Sequence, residues 1–218
     1  MNQNPISHTP KGRETFYRWA IALAVITIAY NIIEGLVSVI FGLQDGTIAL
    51  FGFGLDSFVE VASGVGIWHM VRRMKRSDVG AHDSFEKRAL RITGGSFYVL
   101  AAVLVAASAL NIYRGSKPDT AFWGIAVSIL SILSMGLLIH YKLKIGRQYN
   151  SEALIADAKC TRACMYLSVV LLVSSVGYTL TGLGMIDSLG ALGIACLAVK
   201  EGRESLAKAK GDLKCGCR

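Results

Sequence analysis

Residues 47–71 read TIALFGFGLDSFVEVASGVGIWHMV. The stretch is long enough to cross a bilayer, which takes about 20 mostly apolar residues in a helix. It nevertheless carries two acids, Asp56 and Glu60. A charged side chain at mid-bilayer costs roughly 3 kcal/mol on insertion scales. Four residues apart, the two carboxylates share one helix face and repel each other. A proton, a bound cation or a basic partner on another helix must offset that repulsion. Acids embedded in a membrane are functional by default.

The rest of the chain has the same character. Of 218 residues, 53% are hydrophobic and only 17% charged, and the mean hydropathy is +0.47. Soluble domains carry nearer a quarter charged residues. The apolar residues fall into blocks at about 19–41, 47–71, 92–113, 121–141, 153–180 and 185–199, and the last continues as an amphipathic stretch through Lys210. The pattern predicts an all-α polytopic membrane protein with a bundle of six transmembrane helices. Its organisation reads as a flexible N-terminal arm over 1–15, a membrane domain over 16–207, and a short basic tail over 208–218. The first block is too long for a signal peptide and lacks a small-residue cleavage site.

The net charge of +8 does not point to nucleic acid, because the cations sit at the ends of apolar blocks rather than along a stripe with interleaved aromatics. With the N-terminus inside, Lys11, Arg13 and Arg18, the basic run from Arg72 to Arg91, Lys142, Lys144 and Arg147, and the set from Lys200 onward all lie inside. Only Arg114 and Lys117 lie outside. The positive-inside rule then places both termini in the cytoplasm. With no organelle signal, the membrane expected is a plasma or bacterial inner membrane. None of the five cysteines falls in an outside loop, so a disulfide framework is not expected.

The fifth block carries Cys160 and Cys164, again four residues apart, with Asp157 one turn before and Ser168 one turn after. Membrane cysteines are ordinarily small packing residues. Two thiolates facing two carboxylates can instead fill a tetrahedral shell, and sulfur favours zinc, cadmium or mercury. Lys159 and Arg162 lie beside them. Arg162 falls nearly opposite the cysteines on a helical wheel; turned outward it would pair with Glu34 or a dimer mate, turned inward it would neutralise the acids. Asn31 and Glu34 share a face of the first block, as interhelical packing would require. Asp187 reads as the water-facing cap of the sixth helix, Cys196 as a packing residue, Glu201 and Glu204 as solvated, and His69 and His140 as interfacial. Cys215 and Cys217 form a Cys-x-Cys pair that could chelate a soft metal. A thiol-redox enzyme is not expected, since Cys160 and Cys164 lack the Cys-x-x-Cys register.

At Asp56 and Glu60, and at Ala156-Asp157-Ala158 followed by Cys160 and Cys164, the chain resembles the cation diffusion facilitator (cation efflux) superfamily, in its short branch with only the membrane domain and no cytoplasmic domain. The resemblance covers about residues 16–207. It implies a tetrahedral metal site of Asp56, Glu60, Cys160 and Cys164, the two cysteines standing where the family has His and Asp. It further implies a divalent metal-cation transporter, zinc first and cadmium or mercury next, with proton-coupled efflux. The metal is cargo, not a resident cofactor, and protons and the lipid bilayer are the other partners. A homodimer would form through the membrane helices. The alternative is a non-transporting metal-binding or assembly protein.

Overall fold

The computed structural model describes residues 10–75, 82–115, 117–148 and 152–210. Among them every regular element is a helix: α1 (Pro10–Gln44), α2 (Ile48–Lys75), α3 (His82–Arg114), α4 (Phe122–Gln148), α5 (Glu152–Thr181) and α6 (Met185–Lys210). Each apolar block becomes one helix, and each helix runs past its block at one end or both. α1 already begins at Pro10, inside the stretch read as the N-terminal arm; proline suits a first helical position, where its missing N–H is not needed. Among the described residues, Glu14–Gln44, Gly94–Arg114, Phe122–Gln148 and Thr161–Thr181 are long and apolar enough to cross a bilayer. The chain is an all-α, polytopic membrane protein.

The polar residues face inward. On α1, Thr27, Asn31, Glu34 and Ser38 are buried, while Ile26, Ile33, Leu36 and Leu43 are exposed. Lipid tails are as apolar as leucine, so nothing drives leucine inward; small and polar side chains hold such helices together instead. The closest helix pairs are α1 with α2, α3 with α6, and α4 with α5. α2 also touches α3, α5 and α6, and so lies at the middle of the bundle. There Leu50 and Phe53 of α2 meet Leu104 of α3, Leu171 of α5 and Ile194 of α6, all fully buried. A second cluster joins Leu23 of α1, Met135 and Leu138 of α4 and Leu154 of α5.

Two glycines allow the α1–α2 hairpin. Gly46 turns the chain with φ at 67°, a left-handed conformation open to glycine without steric cost. At Gly54 an added Cβ would lie 2.8 Å from the Val39 backbone nitrogen, so the two helices touch backbone to side chain with no room between. The loops at this end of the bundle are tied together. The Asp119 amide donates to the Asp45 carbonyl at 2.8 Å, and the Tyr178 hydroxyl donates to the Pro118 carbonyl.

Asp187 departs from its sequence reading. It is buried, not facing water. It caps α2 rather than its own helix: its carboxylate accepts the Ile48 amide at 2.7 Å and the Ala49 amide at 3.3 Å. The local cap residue, Thr47, points its hydroxyl at the Thr120 carbonyl 3.5 Å away, which leaves the first amides of α2 in need of an acceptor. Asp187→Ala is therefore expected to destabilise the protein by about 1–2 kcal/mol, the range of a lost helix cap. Thermal unfolding in one detergent should show the loss, with Asp187→Asn intermediate; an unchanged midpoint for alanine would remove the cap from the account.

Candidate metal centre

α2 and α5 run antiparallel, since the turn end of the bundle holds the start of one (Ile48) and the finish of the other (Thr181). Side chains three or four apart on each form a stripe, and the two stripes meet. Asp56 is 1% exposed and Cys164 is 4% exposed. The Cys164 thiol donates to Asp56 Oδ2 at 3.4 Å. The other carboxylate oxygen, Oδ1, is buried and has no hydrogen-bond partner. Glu60 lies one turn along α2 and is buried too, and both carboxylates act on Cys164. Of the four residues expected from the sequence, the structure puts Asp56 and Cys164 in contact and leaves Glu60 one turn along α2. The fourth, Cys160, belongs to α5 one turn before Cys164; its side chain lies outside the described residues, as do those of Asp157, Lys159 and His69. The Cys215 and Cys217 pair lies outside them altogether. Among the described residues no group of three His, Cys, Asp or Glu side chains stands at metal-holding distances.

The Asp56–Cys164 spacing has a chemical meaning. Zinc takes sulfur at about 2.3 Å and carboxylate oxygen at about 2.0 Å in a tetrahedral shell, so two such ligands stand about 3.5 Å apart. The pair is separated by that distance without an ion. A thiol proton now occupies the gap that a metal would fill once the thiol ionised.

The surroundings revise several expectations. Arg162 is exposed, the outward one of its two expected orientations; Glu34 is not its partner but is held by hydroxyls, accepting from Tyr30 at 2.9 Å and Ser57 at 3.1 Å. Glu201 is half-buried rather than solvated, and near enough to act electrostatically on Asp56; Glu204 is half-buried as well. Cys196, read as a packing residue, is exposed. His140 is exposed beside Tyr141, as an interfacial residue would be. Lys144 and Arg147 are exposed as end-of-helix cations, but Lys142 is not. It is fully buried and donates to the Thr161 hydroxyl of α5 at 2.8 Å. A basic cluster in a sequence does not say which of its members turns inward. The sequence signal for Lys142 is its spacing: it shares a face with Leu138 and Ile145, both buried.

Residues 20–213 match the model of the cation efflux transmembrane domain. An uncharacterized transporter of Methanocaldococcus jannaschii is 28% identical over 153 residues, covering 68% of this chain and 54% of that protein. The magnetosome protein MamB of a Magnetospira strain is 26% identical over 198 residues, covering 89% and 65% respectively. MamB of Magnetospirillum gryphiswaldense is 24% identical over 174 residues, covering 78% and 58%. The chain thus spans between about half and two thirds of the length of these curated relatives. With an all-helical bundle, a buried acid–thiol contact between its second and fifth helices, and a family match over nearly its whole length, the chain belongs to the cation efflux family.

Proposed function

We propose that this protein is a divalent metal-cation transporter that binds its cargo through Asp56, Glu60, Cys160 and Cys164. The observation that carries the reading is the Asp56–Cys164 contact, buried between α2 and α5 at a spacing suited to two ligands of one ion. Antiparallel helices add a register argument: the step from Asp56 to Glu60 along α2 runs the same way in space as the step from Cys164 back to Cys160 along α5. Two carboxylates and two thiolates suit zinc, with cadmium and mercury next. Each thiol must lose its proton to bind metal, so metal and protons exchange, which favours proton-coupled efflux. The family is one of transporters rather than enzymes, and one relative is named a transporter. Six spans, cytoplasmic termini and a homodimer through the membrane helices complete the proposal. The non-transporting alternative, in which Arg162 locks the core acids, is disfavoured by the exposed position of Arg162.

The test is metal entry into proteoliposomes loaded with a zinc-sensitive dye, with and without a pH gradient. Zinc or cadmium uptake that follows the gradient is the expected outcome. Folded protein that moves no divalent ion would return the weight to a non-transporting metal-binding or assembly protein.

A further inference from the structure

A second polar cluster lies on the α1 side of α2. Glu34 is 7% exposed. Its Oε1 accepts the Tyr30 hydroxyl and its Oε2 accepts the Ser57 hydroxyl. Ser131 of α4 lies near the same carboxyl. One turn earlier on α1, Asn31 is fully buried with no partner for either amide atom. Among the described residues, no basic side chain touches Glu34. Among the described residues, the charged and titratable groups near it are Tyr30 on α1 and Asp56 on α2. At this level α4 presents the Ser131 and Ser134 hydroxyls, its Lys142 being turned to Thr161 three turns away.

The hydroxyls around Glu34 can serve either form of the carboxyl. Ser168 lies 3.0 Å from the Cys164 carbonyl, to which it can donate. The 2.9 Å Ser131–Ser168 bond can run either way; with Ser131 as its donor, Ser131 keeps only its lone pairs for Glu34. That arrangement suits a protonated carboxyl, whose O–H needs an acceptor. For the ionised carboxylate, Ser131 would turn its proton to Glu34. Ser57 also has a second acceptor, the Phe53 carbonyl at 3.2 Å, to which it can turn when Glu34 needs fewer donors. Both forms therefore keep their hydrogen bonds, without the penalty of an unsatisfied buried group.

The cluster is joined to the metal centre on both sides. Ser57 follows Asp56 in α2, and Ser168 lies one turn beyond Cys164 in α5. Resting on the metal reading above, we propose that Glu34 is a proton-carrying site separate from the metal ligands, releasing its proton to solvent as the cation settles at Asp56 and Cys164 and regaining it as the cation leaves. A dication arriving beside Asp56 attracts the negative form of a neighbouring carboxyl, and the Ser131–Ser168 pair reverses its donor direction in response.

Calorimetric zinc titrations of the full chain in nanodiscs, in buffers of different ionisation enthalpy, count the protons released per zinc. Glu34→Gln is expected to release about one proton fewer than the wild type, and the rise of log affinity with pH to lose about one unit of slope. Glu34→Asp, which restores a titratable group, should restore both. A purely structural role would leave the count unchanged. Should Glu34→Gln not fold, infrared difference spectra on zinc addition carry the test in Glu34→Asp: the protonated-carboxyl band lost on zinc binding shifts relative to the wild type if residue 34 is the donor. A wild type that binds zinc with a proton count unmoved by Glu34→Gln overturns this inference alone. Zinc affinity that falls with sodium rather than choline chloride, and stops doing so in Glu34→Gln, overturns it in favour of a sodium site. A wild type that binds neither zinc nor cadmium overturns the metal reading and this one with it.

Discussion

Asp56→Ala is expected to lower zinc affinity by at least about 100-fold, near 2.7 kcal/mol, and to end measurable flux, while leaving the protein as stable as before or more so. The two halves of this expectation have one cause. Asp56 is almost fully buried, faces Glu60 one turn away, and keeps one oxygen without a hydrogen bond. Burying an acid in this way costs free energy unless a cation or proton compensates. Alanine removes that cost together with a ligand. A residue that only packs the bundle would behave in the opposite way, losing stability when truncated and binding metal as before. Zinc titration calorimetry and thermal unfolding of the same preparation separate the two. An Asp56→Ala protein that unfolds at a lower temperature yet binds zinc with unchanged affinity would sink the site assignment. Asp56→Asn sharpens the reading: it keeps the shape, loses the charge, and should lose most of the affinity.

The parts of this centre that could be read from the sequence share one property, which is that each lies within one helix. The spacing of Asp56 and Glu60, and of Cys160 and Cys164, follows from helical geometry alone, and the cost of membrane burial marks these residues as unusual. The same geometry left Arg162 open between an outward and an inward turn, and the structure leaves it exposed. The boundaries of the apolar blocks were legible for a related reason, since hydropathy reports on lipid whichever neighbour a helix has. What could not be read depends on which helices meet. Asp187 looked like a cap for the helix it begins, but the amides it serves belong to α2, because the loops at the turn end fold over one another. Glu34 could be placed on an inward face of α1, but its Ser57 partner required knowing that Gly54 lets α1 and α2 approach so closely. Cys196 had no charge to betray its direction, and α6 turns it outward. In a bilayer the apolar pattern cannot separate the lipid face from the packed face, because both are apolar; only the polar residues report the inside.

Lys142 is the sharpest case, and it carries the second large expected effect. Its fully buried ammonium donates to the Thr161 hydroxyl across the α4–α5 interface. Thr161→Val keeps the volume and removes the acceptor, so the cost should be that of a lost hydrogen bond to a buried charge, about 1.5–3 kcal/mol. Lys142→Met removes the charge along with its need for a partner, and replacing a buried ion by an apolar side chain of similar shape is often close to neutral. The double variant should then be no less stable than Lys142→Met alone, because valine at 161 no longer faces an ammonium. Such non-additivity is what a double-mutant cycle measures for residues in direct contact. Thermal midpoints of the four proteins in one detergent supply it. Additive losses would mean that each residue stabilises the bundle through other neighbours. A coupling near the expected size would fix Lys142 as an inward-facing cation tying α4 to α5 at the residue directly after Cys160, so that the helix bearing both cysteines is anchored by a charge the topology count had assigned to the surface.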